Sequence, residues 1–528
     1  MDEKSTIDFR QIDAVPQLIK DYLNGKLGEF HNRSFSVEAA ELQAEEKRLN
    51  FSADQRRRLT TVLSDQMQSA GLSGKQRQNL EALASSDTFS VTTGHQLNLF
   101  TGPVFFIYKI LQTIKTADYL TDRLSGKTFV PVFWMATEDH DLDEIDHFRT
   151  VDDFYQMHAE AGGAVGRIKI EDTRFISDFE KEFAPTAHGG ELVSWMKEAY
   201  RKGISLTTAT RILVQKLFAE YGLLVIDGDD ARLKTEMIPV FEAELKNEEL
   251  YRSTAVAVQE LTERYGKVQV NPREINLFYL TDSRNRIERQ NDKYVVVDTD
   301  KQFSQTEIID ELYKHPERFS PNAVLRPAFQ ETVLPNIAYI GGNAEIMYWL
   351  ELKSYFDKIG LTFPILIPRN SLLFLSNKTL EKAKKLGLDF TDFFGDYNKL
   401  VNRKIYDKSP LAELLSEKKA EFQNILAELQ ARAAETDPTF GNLVQAEEAR
   451  GTKSFRRMEK RLLRAEKKVH ADLLQRYNRL YEAVHPGGVW QERVYNFSVF
   501  YAFGGSDWLR RCMAGISVEK SQLAMLHN

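Results

Sequence analysis

The chain has 528 residues, of which 42% are hydrophobic and 28% are charged, and its formal net charge is -7. This composition excludes a disordered chain and gives no general electrostatic reason to expect nucleic-acid binding. The single cysteine, Cys512, excludes an internal disulfide framework and indicates a reducing compartment. We see no apolar signal segment and no stretch long enough to cross a bilayer, so the sequence predicts a cytoplasmic protein.

Residues 1–85 have helical periodicity and are predicted to form a helical segment that packs on the core. Apolar side chains recur there at helical spacing, at Ile12, Val15, Leu18, Ile19 and Leu23, and again at Leu59, Leu63 and Met67. No residue of this segment suggests chemistry, and we interpret the segment as packing.

Residues 86–400 alternate short β-forming runs with helical runs. The predicted strands lie near 88–93, 129–136, 222–227, 336–340 and 363–367. The run at 129–136 is almost continuously apolar, which is typical of a strand covered on both faces. Such alternation predicts an α/β fold with a doubly wound parallel sheet. Two stretches do not fit the alternation, at about 142–200 and 265–330, and we expect them to be insertions between core strands.

Residues 401–485 predict an antiparallel coiled coil, and residues 486–528 are expected to return to the core. In the first helix the proposed a and d positions are Leu415, Phe422, Ile425 and Leu429. A break follows at 436–441, and a second apolar stripe runs from Phe455 to Val484. Leu411, Leu414 and Leu426 lie off the seam and need further cover, which predicts a homodimer through the coiled coil.

The second predicted helix of the coiled coil carries an excess of basic side chains. They are Lys453, Arg456, Arg457, Lys460, Arg461, Arg464, Lys467 and Lys468. We interpret them as a solvated helix face, with contact to phosphate or tRNA as the alternative.

Five polar clusters follow the predicted strands. They are Gly94-His95-Gln96, Glu138-Asp139-His140-Asp141, Asp227-Gly228-Asp229, Gly341-Gly342-Asn343 and Arg369-Asn370-Ser371. Ligands gather at the carboxyl ends of parallel strands, so we expect these clusters to converge on one cleft. Glycine allows close approach of the backbone, and helix N-termini supply N–H donors for phosphate. The absence of a Walker A or GxGxxG pattern disfavours an ordinary P-loop or NAD site.

Each cluster also has a simpler interpretation. The glycine pair at 341–342 could serve a turn, His95 could cap a helix, and the acidic run from Glu138 could be a solvated loop. His140 and His147, with nearby carboxylates, could bind a divalent metal, although their spacing matches no familiar metal pattern. The shared position of the clusters at strand ends is what favours a functional site.

Two long motifs resemble a known family. The first is TGHQLNLFTGP, from Thr93 to Pro103, with Lys109 in the helix behind it. The second is PVFWMATEDHDLDEI, from Pro131 to Ile145. With their spacing from the coiled coil, these motifs make nearly the whole chain similar to the BshC family, the proposed cysteine ligases of bacillithiol biosynthesis. His95 stands where that family often has glutamine.

The resemblance implies a Rossmann-like core similar to that of class I aminoacyl-tRNA synthetases, with two connecting insertions and an appended coiled-coil hairpin. It implies a ligase that joins L-cysteine to glucosaminyl-malate by an amide bond, in the last step of bacillithiol biosynthesis. The HIGH and KMSKS signatures of those synthetases are not intact, and Ser376-Asn377-Lys378 is only a weak counterpart of the second. The activating cosubstrate is therefore unassigned, with ATP or another nucleotide as the candidates.

Candidate site residues follow from the clusters and the resemblance together. The candidates for catalysis are His95, Asp139 and His140. The candidates for binding substrate or nucleotide are Gly94, Gln96, Thr101, Gly102, Lys109, Glu138, Asp227, Gly341, Gly342, Asn343, Arg369, Asn370 and Ser371. No metal ligand is assigned. Two other functions stay open: a metal-dependent hydrolase or transferase that uses Asp139, His140 and Asp143 within the Glu138–Asp143 cluster, and a non-catalytic coiled-coil scaffold.

Overall fold

The computed structural model describes residues 5–68, 71–266, 270–433 and 435–527. These residues form two compact units. The first contains the chain up to Gln11, residues 15–374 and residues 492–526; the second contains residues 12–14, 375–491 and 527. Parts of the predicted segments, at 1–4, 69–70, 267–269, 434 and 528, lie outside the described residues. The domain boundaries drawn from the sequence stay a prediction.

A parallel sheet of five strands forms the centre of the first unit. In chain order the strands are β1 (Thr88–His95), β2 (Thr128–Met135), β3 (Leu224–Asp227), β4 (Asn336–Gly341) and β5 (Ile365–Pro368). Their order across the sheet is β5-β4-β1-β2-β3, and each neighbouring pair is parallel. The predicted doubly wound α/β fold is confirmed. The strand order reverses between β1 and β4, and such a switch point opens a crevice for ligands.

Helices cover both faces of this sheet, as its apolar strands require. Helix Phe105–Arg123 connects β1 to β2 and buries apolar side chains along most of its length. Helix Val37–Asn50 places Ala40 and Ala44 in the same buried group as Phe89 of β1. The other helices before β1 are Gln17–Leu23, Ala53–Gln68 and Gly74–Ala82. Ser36 caps the second helix of the chain by accepting a hydrogen bond from the Ala39 amide at 3.0 Å.

Two insertions interrupt the core, one on each side of β3. Between β2 and β3 lie strands His147–Arg149 and Phe154–Gln156 and helices Arg174–Phe183, Gly189–Ala199 and Leu206–Phe218. Between β3 and β4 lie helices Ala231–Thr235, Ile238–Asn247, Glu249–Tyr265, Gln305–Lys314 and Arg326–Val333. The second insertion also holds an antiparallel sheet of Leu277–Leu280, Arg284–Gln290, Lys293–Val296, Gln302–Phe303 and Phe319–Pro321.

The remaining elements of the first unit follow β4 and lie at the chain ends. Helices Asn343–Leu350 and Lys353–Lys358 connect β4 to β5, and helix Ser498–Gly515 lies near the C-terminus. A small sheet pairs Thr6–Asp8 with Gln522–His527, next to Ser371–Leu375. No described helix combines the length and the apolar character that a membrane span requires.

The second unit is helical and contains the predicted coiled-coil hairpin. Its helices are Asn377–Lys385, Tyr397–Tyr406, Pro410–Ala433, Pro438–Val469 and Ala471–Val484. Ser376 caps the first of these helices by accepting from the Thr379 amide at 3.2 Å. The second long helix, predicted as continuous to Val484, is interrupted at His470, which has non-helical backbone angles.

The register predicted for the coiled-coil seam is partly wrong. Phe422 and Phe455 do meet, with ring centroids 5.6 Å apart, and a side chain at Gly451 would collide with the Phe422 ring. Ile425 and Leu429, however, are 59% and 43% exposed. The seam drifts away from a strict heptad because an α-helix turns once in 3.6 residues.

Candidate active site

A cleft of about 910 Å³ opens at the carboxyl ends of β1, β2 and β4. Its sheet side is lined by Gly94, His95, Gln96, Met135, Ala136, Thr137, Glu138, Asp139, His140, Gly342, Glu345 and Arg369. The opposite side comes mainly from the second insertion, with Asn271, Arg273, Phe278, Arg284, Arg286, Asn322 and Arg326. The cleft therefore coincides with the switch point of strand order.

Lys109 lies in helix Phe105–Arg123 and connects that helix to β1 and to helix Asn343–Leu350 at one end of the cleft. Its buried ammonium donates to the Gly94 carbonyl oxygen at 2.6 Å and to Glu345 Oε2 at 2.7 Å. Glu345 also accepts from the Gly342 amide at 2.8 Å and from the Tyr339 hydroxyl at 2.7 Å. Burial lowers the pKa of Lys109, whereas its charge and hydrogen bond overcome the effect of burial on Glu345 and lower the pKa of that carboxyl to about 2. Glu345 is thus held ionised beside the Lys109 ammonium.

Arg369 lies at the same end and is 4% exposed. Its guanidinium makes a two-point pair with Glu492, at 3.0 and 2.7 Å, and lies 4.8 Å from the centre of the Phe105 ring. Asn370 and Ser371 do not line the cleft. The Asn370 amide donates to Gln112, and the Ser371 hydroxyl donates to Glu492, so both serve the structure around Arg369.

Asp139 and His140 form the other end of the cleft. Gln96 donates to Asp139 Oδ2 at 2.8 Å, and the His140 amide donates to Asp139 Oδ1 at 2.8 Å. Arg284 Nη1 lies 2.9 Å from His140 Nδ1. Because a guanidinium can only donate, Nδ1 of His140 is the acceptor and the ring proton lies on Nε2. Burial and the charge of Arg284 lower the pKa of His140, which keeps the imidazole neutral.

His95 has a different environment from the other two catalytic candidates. Its ring packs against Phe105 and Phe106, at 5.3 and 5.4 Å between centroids. Burial and the charge of Lys109 lower the pKa of His95 to about 3. An imidazole with such a pKa is a weak base near neutrality. His95 lines the cleft, but its environment does not favour the predicted role in proton transfer.

Glu138 has a partner that the sequence did not reveal. The Lys234 ammonium, which is fully buried, lies 2.7 Å from Glu138 and 3.3 Å from Asp229. Arg167 holds Asp229 from the other side with contacts of 2.6 and 2.8 Å. The four charged groups thus alternate in sign, in the order Glu138, Lys234, Asp229 and Arg167. These contacts fix Glu138 at the wall of the cleft. Lys234 lies in a short helix with no recognisable motif, so no sequence signal pointed to it.

Thr101 and Gly102, two of the predicted binding residues, have backbone amides that the fold already uses. The Gly102 amide donates to the Leu99 carbonyl oxygen at 2.8 Å, and the Thr101 amide donates to Asn98 at 3.0 Å. The helix begins only at Phe105, and the Val104 amide before it donates to Tyr495. These amides are already paired, and neither Thr101 nor Gly102 lines the cleft.

Asp227, Gly341 and Asn343 lie near the strand ends without lining the cleft. Asp227 accepts from the Thr137 hydroxyl and from the Asp229 amide. The Gly341 carbonyl oxygen accepts from the Arg369 amide at 2.8 Å. Asn343 is the first residue of the helix that follows β4. Gly94, Gln96, Lys109, Glu138, Gly342 and Arg369 are the binding candidates that the fold brings to the cleft or its supporting wall.

Replacing Asp227 with Asn is expected to stabilise the protein above pH 6. Burial is the main cause that raises the pKa of Asp227 from 3.8 to about 6. Ionising this group therefore costs the folded state, and stability is lost as the pH rises through that window. Since Asn does not titrate, we expect a gain in unfolding free energy on the order of 1 kcal/mol at pH 8. Urea denaturation at pH 4 and pH 8 measures it, and an equal difference at both pH values would contradict it.

No group of three or more His, Cys, Asp or Glu side chains within the described ranges is arranged to hold a metal ion. His140 is turned to Arg284, and Asp139 is bound to Gln96. The metal-dependent alternative therefore lacks a ligand set among these residues.

The sheet is Rossmann-like, has a charged cleft at its switch point, and is followed in the chain by a coiled coil. The protein therefore belongs to the class of Rossmann-like proteins that carry a coiled-coil domain. The family model described as the N-terminal Rossmann-like domain of bacillithiol biosynthesis BshC matches residues 3–370. The model of the BshC C-terminal coiled-coil domain matches residues 372–527. The chain belongs to the BshC family.

Several relatives that are named as proposed cysteine ligases BshC are similar to this chain over almost its whole length. A Flavobacterium johnsoniae protein is 42% identical, covering 95% of each chain. Relatives from Christiangramia forsetii and Flavobacterium psychrophilum are 36% and 38% identical, covering 98% and 96% of each chain. A solved structure described as an arginyl-tRNA synthetase from Campylobacter jejuni is 10% identical, covers 80% of this chain and 99% of its own, and has a TM-score of 0.20, which carries no argument.

Proposed function

We propose that this chain is the ligase that joins L-cysteine to glucosaminyl-malate and so completes bacillithiol. The proposal is supported by membership of the BshC family and by a cleft with an acidic end and a basic end. An amide-forming enzyme must bind an amine and an activated carboxyl group side by side. Carboxylates suit the amine, and arginines and lysines suit anionic groups of either substrate.

The acidic end suits proton transfer from the attacking amine. In the proposed step the amine nitrogen of glucosaminyl-malate forms a bond to the activated carboxyl carbon of cysteine. The bond from that carbon to its leaving group breaks, and the amine proton passes to Asp139. His140, neutral and protonated on Nε2, donates a hydrogen bond to the developing oxyanion, while Arg284 holds its ring.

His95 has a positioning role in this proposal rather than a role as a base. Its buried ring packs on Phe105, which also contacts Arg369. It thereby fixes the start of the helix that carries Lys109. Glu138, held by Lys234, adds negative charge beside Asp139 for an ammonium group of the substrate.

The test uses the purified full chain with cysteine and glucosaminyl-malate. Separate reactions contain ATP, another nucleoside triphosphate or no nucleotide, and mass spectrometry detects bacillithiol. We expect product in one arm, which also identifies the cosubstrate that activates the carboxyl group. The Asp139→Asn variant, prepared in parallel, controls for contaminating activity. Absence of product in every arm, with a folded protein, would refute the proposal.

We further propose a cytoplasmic homodimer that forms through the coiled coil. Leu411, Leu414, Ile425 and Leu429 project from one side of helix Pro410–Ala433 and are 43% to 59% exposed. Their spacing of three, eleven and four residues keeps them on one helical face. Burying an apolar face of this kind away from water is favourable. In the proposed dimer a second copy of the chain buries it through an isologous contact. The cytoplasm is supported by the single thiol, Cys512, which is free and buried.

Light scattering of the intact chain at micromolar concentration is expected to give the mass of two chains. Replacing Leu411 and Ile425 together with Glu should give a monomer, because each charge would be buried in the interface. Leu42→Glu is the matched control, since Leu42 is 60% exposed in the first unit. A wild-type monomer, or a dimer that survives the double change, would contradict the proposal.

A further inference from the structure

The basic end of the cleft holds more positive than negative charge. Lys109 is paired with Glu345, and Arg369 is paired with Glu492. Two further arginines line the same end, Arg326 and Arg493. Within the part of the chain that the structure describes, neither makes an ion pair. At this end of the cleft, the guanidinium groups of Arg326 and Arg493 therefore have no ion-pair partner among the described residues.

Arg326 is held in place but not satisfied. Its Nη1 donates to Gln330 Oε1 at 2.9 Å, and its carbon Cζ lies 5.8 Å from the centre of the Tyr339 ring. Its Nη2 is buried and has no hydrogen-bond partner among the described residues. A buried donor of this kind, left without an acceptor, costs free energy, which a bound anion would recover.

Arg493 shares the Phe105 ring with Arg369. Its Cζ lies 5.6 Å from the ring centre, against 4.8 Å for Arg369. Burial and the neighbouring charge of Arg369 both lower the pKa of Arg493. Two cations around one ring repel each other, and an anion beside Arg493 would relieve that repulsion.

We propose that Arg326 and Arg493 bind the two carboxylates of the malyl group of glucosaminyl-malate, an inference that rests on the proposed function. Cysteine brings a single carboxyl group, which the reaction consumes. The malyl group keeps both of its carboxylates, and Arg326 and Arg493, the two arginines without an ion pair at the basic end, match that charge. The planar fork of arginine fits a carboxylate by two parallel hydrogen bonds, which makes these residues determinants of specificity.

Binding of the malyl group at Arg326 also orients the amino sugar of the substrate. Arg326 Nη1 lies 3.6 Å from the position that a Cβ atom of Gly94 would take, so this guanidinium stands beside the end of β1. Gln96, two residues further on, binds Asp139. Two residues of extended chain span about 7 Å, which one sugar ring can bridge. With its malyl group at Arg326, the substrate thus presents its amine towards Asp139.

The test measures binding of glucosaminyl-malate to the full chain by calorimetry, without cysteine or nucleotide. We expect the methyl glycoside of glucosamine, which lacks the malyl group, to bind at least about 30-fold more weakly, as two lost charge-assisted contacts imply. Arg326→Gln and Arg493→Gln should each weaken binding of glucosaminyl-malate by about 10-fold or more. Arg326→Lys should recover only part of the loss, because it keeps the charge without the fork.

The control is Arg510→Gln, which removes an exposed arginine paired with Asp507 and should bind as the wild type does. Pyrophosphate is titrated against the same variants. If the arginine variants weaken pyrophosphate and leave glucosaminyl-malate unchanged, the subsite is for phosphate and the inference is overturned. Wild-type binding of glucosaminyl-malate by a folded Arg326→Gln variant overturns it as well. If no bacillithiol forms in any arm but the arginine-dependent binding persists, the proposed function fails and the subsite stands.

Discussion

Replacing Asp139 with Asn, or His140 with Ala, is expected to abolish bacillithiol formation and leave the fold intact. Asp139 is the carboxylate that Gln96 and the His140 amide position at the acidic end of the cleft. An amide oxygen cannot take the proton of the attacking amine, and loss of the imidazole removes the Nε2 donor. Each effect corresponds to a fall in rate of about 100-fold or more. Because both residues lie in the irregular loop that follows β2, we expect little change in stability.

Two measurements check this expectation. One is complementation of a bacillithiol-deficient strain, with thiol levels as the readout, and the other is the rate of the purified variants. Asp143→Asn is the matched control, since Asp143 is an exposed carboxylate of the same loop. Near-normal thiol levels with both variants would remove Asp139 and His140 from the mechanism. Loss of activity in the control would instead revive the metal-dependent alternative, which uses Asp143.

Replacing Lys109 with Met is expected to cost both stability and activity. The Lys109 side chain is 2% exposed, whereas its partner Glu345 is 25% exposed. Met keeps the apolar volume but leaves the carboxylate without its cation. Removing one partner of a largely buried pair costs about 3 kcal/mol of unfolding free energy. The Gly94 carbonyl oxygen also loses its donor, so the glycine-rich end of the cleft should lose its shape and its activity.

The cost of the Lys109 change should depend on pH. Its partner Glu345 has a pKa lowered from 4.5 to about 2 in the folded protein. A lowered carboxyl pKa contributes stability that is present above the unfolded value and is lost as the pH falls towards the folded value. The difference between wild type and Lys109→Met should therefore be full at pH 7 and shrink between pH 4.5 and 2.

Urea denaturation across this range gives the free energies, with Lys181→Met as the control. Lys181 pairs with Asp178 at the surface, and its side chain is 76% exposed, so its loss should leave the stability almost unchanged. Adding Glu345→Gln to Lys109→Met should recover part of the stability, because no carboxylate is then left unpaired. A Lys109→Met variant as stable as the wild type at pH 7 would show that the pair contributes nothing.

The sheet could be predicted because its signal is local. Each core strand is a short apolar run that ends in polar residues and is followed by a helical run, and all five predicted strands are present. The carboxyl ends of parallel strands share one edge, so the sequence alone predicts that Gly94, Asp139 and Gly342 meet, and all three line the cleft. The same local rule also selected Asp227 and Ser371, which do not line the cleft, since it cannot tell which way a side chain turns.

The amino-acid sequence was enough to predict the fold class, the coiled-coil hairpin, the family and one wall of the cleft. The other wall became known only from the folded chain: Arg284 and Arg326 come to it from the second insertion, and Arg493 adds its charge from near the C-terminus. The tertiary structure also showed that the amides at Thr101 and Gly102 are already paired and that Lys234 holds Glu138. The reason is physical: periodicity records which residues are buried, whereas the pairing of charges depends on packing between segments that are distant in sequence.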